Sequence, residues 1–116
     1  MAAFRFRMAK ILRLRERAEQ EAALEMARRQ GLVDLCRRTL ADMTRSRADL
    51  LARRDDLQRG RMLPSLLAEN RYQLIVLERA TVVKERECLN LEREAEEARQ
   101  ALIARSRDRR LLEKLE

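Results

Sequence analysis

The chain has no histidine and no tryptophan, and its 116 residues include one proline, two glycines, two phenylalanines and one tyrosine. Without histidine, the commonest general base and metal ligand is missing. Two isolated glycines cannot form the glycine-rich loops that hold phosphates. The two cysteines, Cys36 and Cys88, lie too far apart in sequence for a zinc motif. The sequence therefore predicts no catalytic, cofactor-binding or metal-binding residues, and we expect a protein that is not an enzyme.

Long uncharged stretches are also missing. No segment approaches the roughly 18 uncharged residues that a membrane-spanning helix needs. The basic N-terminus is interrupted by charge too often for a secretory signal peptide, and its pattern continues unbroken into Glu16. Two cysteines at apolar positions suit a reducing compartment. We therefore expect a cytoplasmic protein without a cleaved leader.

What the sequence does contain is charge and a regular apolar spacing. Charged residues make up 41% of the chain and aromatic residues 3%, which is typical of long helices. Apolar positions recur at alternating steps of three and four residues up to Leu57 and again from Leu67, and the two series mirror each other about Met62. This heptad spacing predicts an all-α fold in which two long helices form an antiparallel coiled-coil hairpin. Disorder is the alternative, but charged disordered chains lack a sustained apolar period.

The ends of the two helices are indicated by a glycine and a proline. Gly60 is expected to end the first helix in a left-handed C-cap. Pro64 suits the first turn of the second helix, where its missing N–H is not needed. We predict a single helical hairpin over residues 1–116, with a helix over 4–59, a turn over 60–63 and a helix over 64–115.

The mirror symmetry of the spacing also pairs the two cysteines. Cys36 and Cys88 are equidistant in sequence from Met62, and antiparallel coiled coils pair their a and d positions. We therefore expect the two side chains to face each other in one core layer. In a reducing compartment they are predicted to be small core residues with free thiols, whereas an oxidising one would leave a disulfide open as the alternative.

Basic residues are concentrated in two segments that the hairpin brings to the same end. Residues 1–17 contain six basic residues and one acid, and residues 105–110 contain four basic residues and one acid. We call this end the basic tip. Its candidate binding residues are Phe4, Arg5, Phe6, Arg7, Lys10, Arg13, Arg107, Arg109 and Arg110. Arginine binds carboxylates and phosphates, so an acidic protein surface, nucleic acid and anionic lipid are all candidate partners, and a solvated charge run is the neutral alternative.

The second helix carries apolar residues at heptad positions that point away from the seam. This outer stripe consists of Tyr72, Ile75, Val76, Val82, Val83 and Leu89. An exposed apolar patch of this kind marks an interaction site. We expect it to bind a different protein, and self-association into a four-helix bundle is the alternative.

Both ends of the chain resemble one family. The segment FRFRMAKILRLRER at residues 4–17 resembles the start of FliJ, the small soluble component of the flagellar type III export apparatus. The segment RSRDRRLLEKLE at residues 105–116 resembles the basic, leucine-containing C-terminus of the same family. Because coiled coils resemble one another easily, the two ends together carry this resemblance.

The resemblance implies a coiled-coil stalk that binds the hexameric export ATPase (FliI-like) and promotes its assembly and activity. It also implies contact with the export gate protein (FlhA-like) and escort of export chaperones, at the cytoplasmic face of the inner membrane. On this basis the basic tip is assigned to the ATPase and the outer stripe to the gate or chaperones. The equivalent stalk of a virulence type III secretion system is the nearest alternative. A basic coiled coil that binds nucleic acid or a membrane surface is the alternative from another class, although no specific nucleic acid is expected. Weak self-association and peripheral membrane contact stay open.

Overall fold

Two long helices account for the described part of the chain. A computed structural model describes residues 1–60 and 63–115, and contains α1 (Ala2–Arg59) and α2 (Pro64–Leu115) with no strand in either range. The predicted all-α fold of two helices in an antiparallel hairpin is confirmed. α1 begins two residues before the expected Phe4, and the Arg5 N–H donates to the Met1 carbonyl at 3.2 Å. Of the predicted turn at 60–63, residues 61 and 62 lie outside the described residues.

The predicted left-handed cap at Gly60 is wrong. No described glycine has a positive φ angle. The Gly60 N–H donates to the Asp56 carbonyl at 3.1 Å, so the helical hydrogen-bond pattern extends to this residue and requires no left-handed conformation. Pro64 is the first residue of α2, as expected, and the N–H groups of Leu66 and Leu67 donate to the Leu63 carbonyl.

The helices form two compact units, each containing segments of both. Unit 1 consists of Met1–Val33 and Leu91–Glu116, and unit 2 of Asp34–Asn90. In unit 2 the buried apolar side chains are Cys36, Leu74 and Cys88. An ion pair of 3.5 Å joins Arg47 of α1 to Glu78 of α2. Cys36 lies opposite Cys88, and Arg47 lies opposite Glu78. Residue numbers therefore rise along α1 as they fall along α2, so the two segments of unit 2 are antiparallel.

The two cysteines face each other as the mirror symmetry predicts. Cys36 and Cys88 are both buried, and their Cα atoms are 5.8 Å apart. Their sulfur atoms are paired as a disulfide, so the expectation that both thiols are free is wrong. The antiparallel register brings the two Cα atoms to a separation within the range that a disulfide spans.

Unit 2 also buries one polar side chain in its seam. Asn70 is 2% exposed, and its Nδ2 donates to the Leu50 carbonyl across the helices at 3.0 Å. The Asn70 Oδ1 has no hydrogen-bond partner among the described residues. A buried amide with one unsatisfied polar atom lowers the stability of a heptad seam, and single polar residues at seam positions are a known means of specifying register.

The seam of unit 1 differs from the expected one near the chain ends. Val33 and Ala95 are buried, and Arg29 binds Glu94 across the helices at 2.7 Å and Glu25 along α1 at 2.8 Å. Towards the N-terminus, the half-buried residue is Leu12 rather than Ile11, which heptad spacing favours. The half-buried positions continue through Glu16 and Glu19 to Ala22, so the buried face of this segment is offset by about one residue from the strict heptad series.

The disulfide leads to a stability prediction. It links residues 52 positions apart, and the chain-entropy model gives about 4 kcal/mol for a closed loop of this length. We expect reduction with dithiothreitol to lower the guanidinium unfolding midpoint, measured by circular dichroism. The Cys36→Ser, Cys88→Ser double variant should unfold near the reduced midpoint whether or not reductant is present. Equal midpoints for the oxidised and reduced parent chain would show that the disulfide contributes nothing.

Candidate interaction surfaces

The basic tip lies at one end of unit 1, where the start of α1 and the end of α2 are side by side. Phe4 and Arg5 of α1 and Leu115 of α2 line one shallow groove. The Phe4 and Phe6 residues are 60% and 67% exposed, although phenylalanine is usually buried. The first turns of α1 therefore expose aromatic rings between arginines.

Two further faces of the basic tip mix cations with exposed apolar side chains. The α1 face consists of Phe6, Lys10, Arg13, Leu14 and Arg17. The α2 face includes Ile103, Arg107, Arg110, Leu111 and Lys114. The structure thus groups the candidate cations with five neighbours that the sequence analysis missed, namely Leu14, Arg17, Ile103, Leu111 and Lys114. Their spacing of three and four residues from the candidates is the signal that would have found them.

Arg109 differs from the other cations of the basic tip because it links the two helices of unit 1. Its guanidinium binds the Glu19 carboxylate of α1 and, at 2.6 Å, that of Glu113 on α2. The Ser106 hydroxyl also donates to Glu19, at 2.9 Å. These bonds from Arg109 and Ser106 lower the pKa of Glu19, and the Glu19 carboxylate raises the pKa of Arg109. The structure therefore gives Arg109 an architectural contact, and its charge is already neutralised.

The other six candidate cations of the basic tip form no ion pair with a described residue, although the positive charge of Arg110 also helps to lower the pKa of Glu19. These residues are Arg5, Arg7, Lys10, Arg13, Arg107 and Arg110, and all six are exposed. Nearby, Arg15 is compensated by Asp108 at 3.7 Å. An uncompensated cluster of this size attracts anionic groups over several ångströms.

The outer stripe lies in unit 2 on the face of α2 that points away from the seam. Its six side chains range from 44% exposed at Ile75 to 69% at Tyr72. Leu74 and Cys88, which are next to stripe residues in sequence, point inwards and are buried. The helical geometry therefore leaves these six apolar side chains exposed, as the heptad analysis predicts.

Two kinds of site are not found among the described residues. Neither helix contains a stretch long and apolar enough to cross a bilayer. Within residues 1–60 and 63–115, no group of three or more acidic, cysteine or histidine side chains is arranged to hold a metal ion.

The fold is a helical hairpin with exposed basic and apolar surfaces, which is the architecture of coiled-coil adaptor and stalk proteins. A family model described as Flagellar FliJ protein matches residues 4–116. The chain therefore belongs to the FliJ family, the stalk proteins of the flagellar type III export apparatus. Members of this family are structural and chaperone-like components of the export apparatus rather than enzymes. No curated protein and no solved structure matches the chain.

The ion pairs of unit 1 predict a loss of stability in acid. Hydrogen bonds from Arg28 and Arg29 lower the pKa of Glu25 from 4.5 to about 2. Because the folded state holds this carboxylate ionised below its unfolded pKa, the stabilisation is complete above about pH 4.5 and is lost as the pH falls towards 2. We expect Glu25→Gln to make the unfolding midpoint less sensitive to pH in this window, measured by circular dichroism.

The matched control for this prediction is Glu21→Gln, since Glu21 forms no ion pair with a described residue. It should keep the acid sensitivity of the parent chain. Added salt should reduce the contribution of Glu25 to the acid sensitivity of the unfolding midpoint, because Glu25, Arg28 and Arg29 are not fully buried and salt screens their interactions. Identical pH profiles for the two variants would contradict the prediction.

Proposed function

We propose that this chain is the stalk that binds the hexameric export ATPase through its basic tip and promotes assembly and activity of the hexamer. We further propose that its outer stripe contacts the export gate and export chaperones, and that it works at the cytoplasmic face of the inner membrane. The observation that carries the first assignment is the set of six exposed, uncompensated cations beside two exposed phenylalanines.

The chemistry of the basic tip suits a ring of subunits. Cations project from the α1 face and from the α2 face, so several subunits around the end of a hairpin can each receive a charged contact. Arginine binds carboxylates with two parallel hydrogen bonds, and uncompensated positive charge speeds the encounter with an acidic surface. Phe4 and Phe6 are exposed in the free chain, so the free energy of burying their apolar area is gained only when a partner covers them.

The family description favours the flagellar system over the equivalent virulence apparatus, because the matched model is described as flagellar. The composition of the basic tip favours a protein partner over nucleic acid. Positive charge alone binds nucleic acid without sequence preference, and such binding would leave the two exposed phenylalanines without a role.

Charge reversal tests the assignment of the basic tip. We expect Arg7→Glu with Arg13→Glu to reduce stimulation of the export ATPase at least about tenfold, because repulsion replaces two attractive contacts. The matched control is Arg38→Glu with Arg53→Glu, which makes the same change in net charge at exposed positions of unit 2. ATPase turnover at fixed hexamer concentration is the measurement. Arg109→Glu is unsuitable because it would also break the contact with Glu19.

Unchanged stimulation by the Arg7, Arg13 variant would refute the assignment of the tip. A parallel titration with duplex DNA separates the alternative class. Binding by charge alone should collapse as salt rises through about 200 mM, whereas stimulation of the ATPase should persist.

Acidic substitutions test the assignment of the outer stripe. Burying one valine contributes about 1.5–3 kcal/mol, so we expect Val76→Asp with Val83→Asp to weaken binding of the gate's cytoplasmic domain at least about a hundredfold. The control, Leu24→Asp with Leu35→Asp, changes two exposed leucines of α1 that lie outside the stripe. Calorimetric titration measures both. Gate binding that survives the Val76, Val83 double variant would rule the stripe out.

A further inference from the structure

Two arginines run down the middle of the outer stripe. On the outward face of a heptad helix, column f lies between columns b and c. Column f contains Arg79 and Arg86 after Tyr72, and all three are exposed. The b column contains Ile75, Val82 and Leu89, and the c column contains Val76 and Val83. The stripe is therefore two apolar columns with a cationic column between them.

The helix supplies no counter-charge to this arginine column. The positions three and four residues before and after Arg79 are all isoleucine or valine, and those around Arg86 are valine, leucine and asparagine. Neither arginine forms an ion pair with any residue in the described ranges. Elsewhere Arg28 and Arg99 each bind an acid three residues earlier, at 2.8 and 2.7 Å. Arg79 and Arg86 therefore differ from Arg28 and Arg99, whose charges are satisfied within their own helices.

We propose that the outer stripe docks an acidic amphipathic helix, with aspartate or glutamate in one column and apolar side chains on either side. This rests on the proposed function, which assigns the stripe to a protein partner, and names the chemistry of that partner. Carboxylates seven residues apart on the partner would match the spacing of Arg79 and Arg86, about 10.5 Å along a helix. The flanking valines exclude water from each guanidinium–carboxylate pair, which strengthens it.

The arginine column argues against the other occupants of an apolar stripe. A second copy docked through the same face would place arginine against arginine, and like charges at an interface are costly. Insertion of the apolar columns into a bilayer would carry the guanidinium groups between them towards the hydrocarbon core, which is energetically costly for a charged group. Nucleic acid would leave five apolar side chains facing phosphates. Only a partner with alternating acidic and apolar columns satisfies the whole stripe.

Two synthetic helical peptides of about three heptads test this proposal directly. They share the same apolar columns and differ only in the column between, which is glutamate in one and lysine in the other. We expect the full chain to bind the glutamate peptide at least about tenfold more tightly in calorimetric titrations at low salt. The preference should shrink as salt is raised to about 0.5 M.

Reversal of the arginine column should reverse the choice of peptide. Arg79→Glu with Arg86→Glu is expected to prefer the lysine peptide, whereas the control Arg38→Glu with Arg53→Glu keeps the parent's preference. Circular dichroism and the unfolding midpoint verify that both variants are folded. Equal binding of the two peptides, or a preference that the Arg79, Arg86 variant leaves unchanged, overturns the proposal. Dimerisation through the stripe that survives the reversal, seen by sedimentation, also overturns it.

The gate's cytoplasmic domain separates this inference from the proposed function. Gate binding lost with Val76→Asp and Val83→Asp but unchanged with Arg79→Glu and Arg86→Glu would refute the acidic helix and leave the proposed function standing. Arginine-dependent selection of the glutamate peptide without gate binding would support the acidic helix and refute the assignment to the gate.

Discussion

The antiparallel register between the two helices is the constraint on which every other property depends. In unit 2 it brings Cys36 to Cys88 and places the Asn70 amide at the Leu50 carbonyl. In unit 1 the same antiparallel register places Arg29 of α1 beside Glu94 of α2, and the two side chains form an ion pair. Because each residue of a helix is rotated by about 100° from the last, the buried face determines which side chains are left outside. The exposed basic and apolar surfaces are therefore a consequence of the seam, as well as of their own composition.

The same residue type has different roles according to the helix face on which it lies. Arg29 and Arg109 hold the two helices of unit 1 together through acids on the neighbouring helix. Arg28 is satisfied within its own helix by Glu25. Arg79 and Arg86 form no ion pair with a described residue, so their charge is available to a partner. A high arginine content alone says little about binding, whereas the position of each acid relative to each arginine indicates which charges are structural.

The sequence predicts the periodic features well and the features that depend on neighbouring helices poorly. Heptad spacing is sufficient for the two helices, the facing cysteines and the exposed stripe. It does not predict that Leu12 replaces Ile11 in the seam, because a small change in helix rotation decides between adjacent residues. The architectural role of Arg109 depends on Glu19, 90 residues away. The Gly60 prediction failed because a glycine permits a left-handed cap without requiring one.

The unpartnered oxygen of Asn70 has a consequence for how this protein coexists with other coiled coils. A cell contains many helices with heptad repeats that could exchange partners with one another. A foreign helix that took the place of α1 would also offer backbone carbonyls to the Asn70 amide, but unless it brought a hydrogen-bond donor it would leave the same oxygen unsatisfied. Because α1 is already held beside α2 within one chain, a foreign helix that satisfies this amide no better gains nothing by exchange.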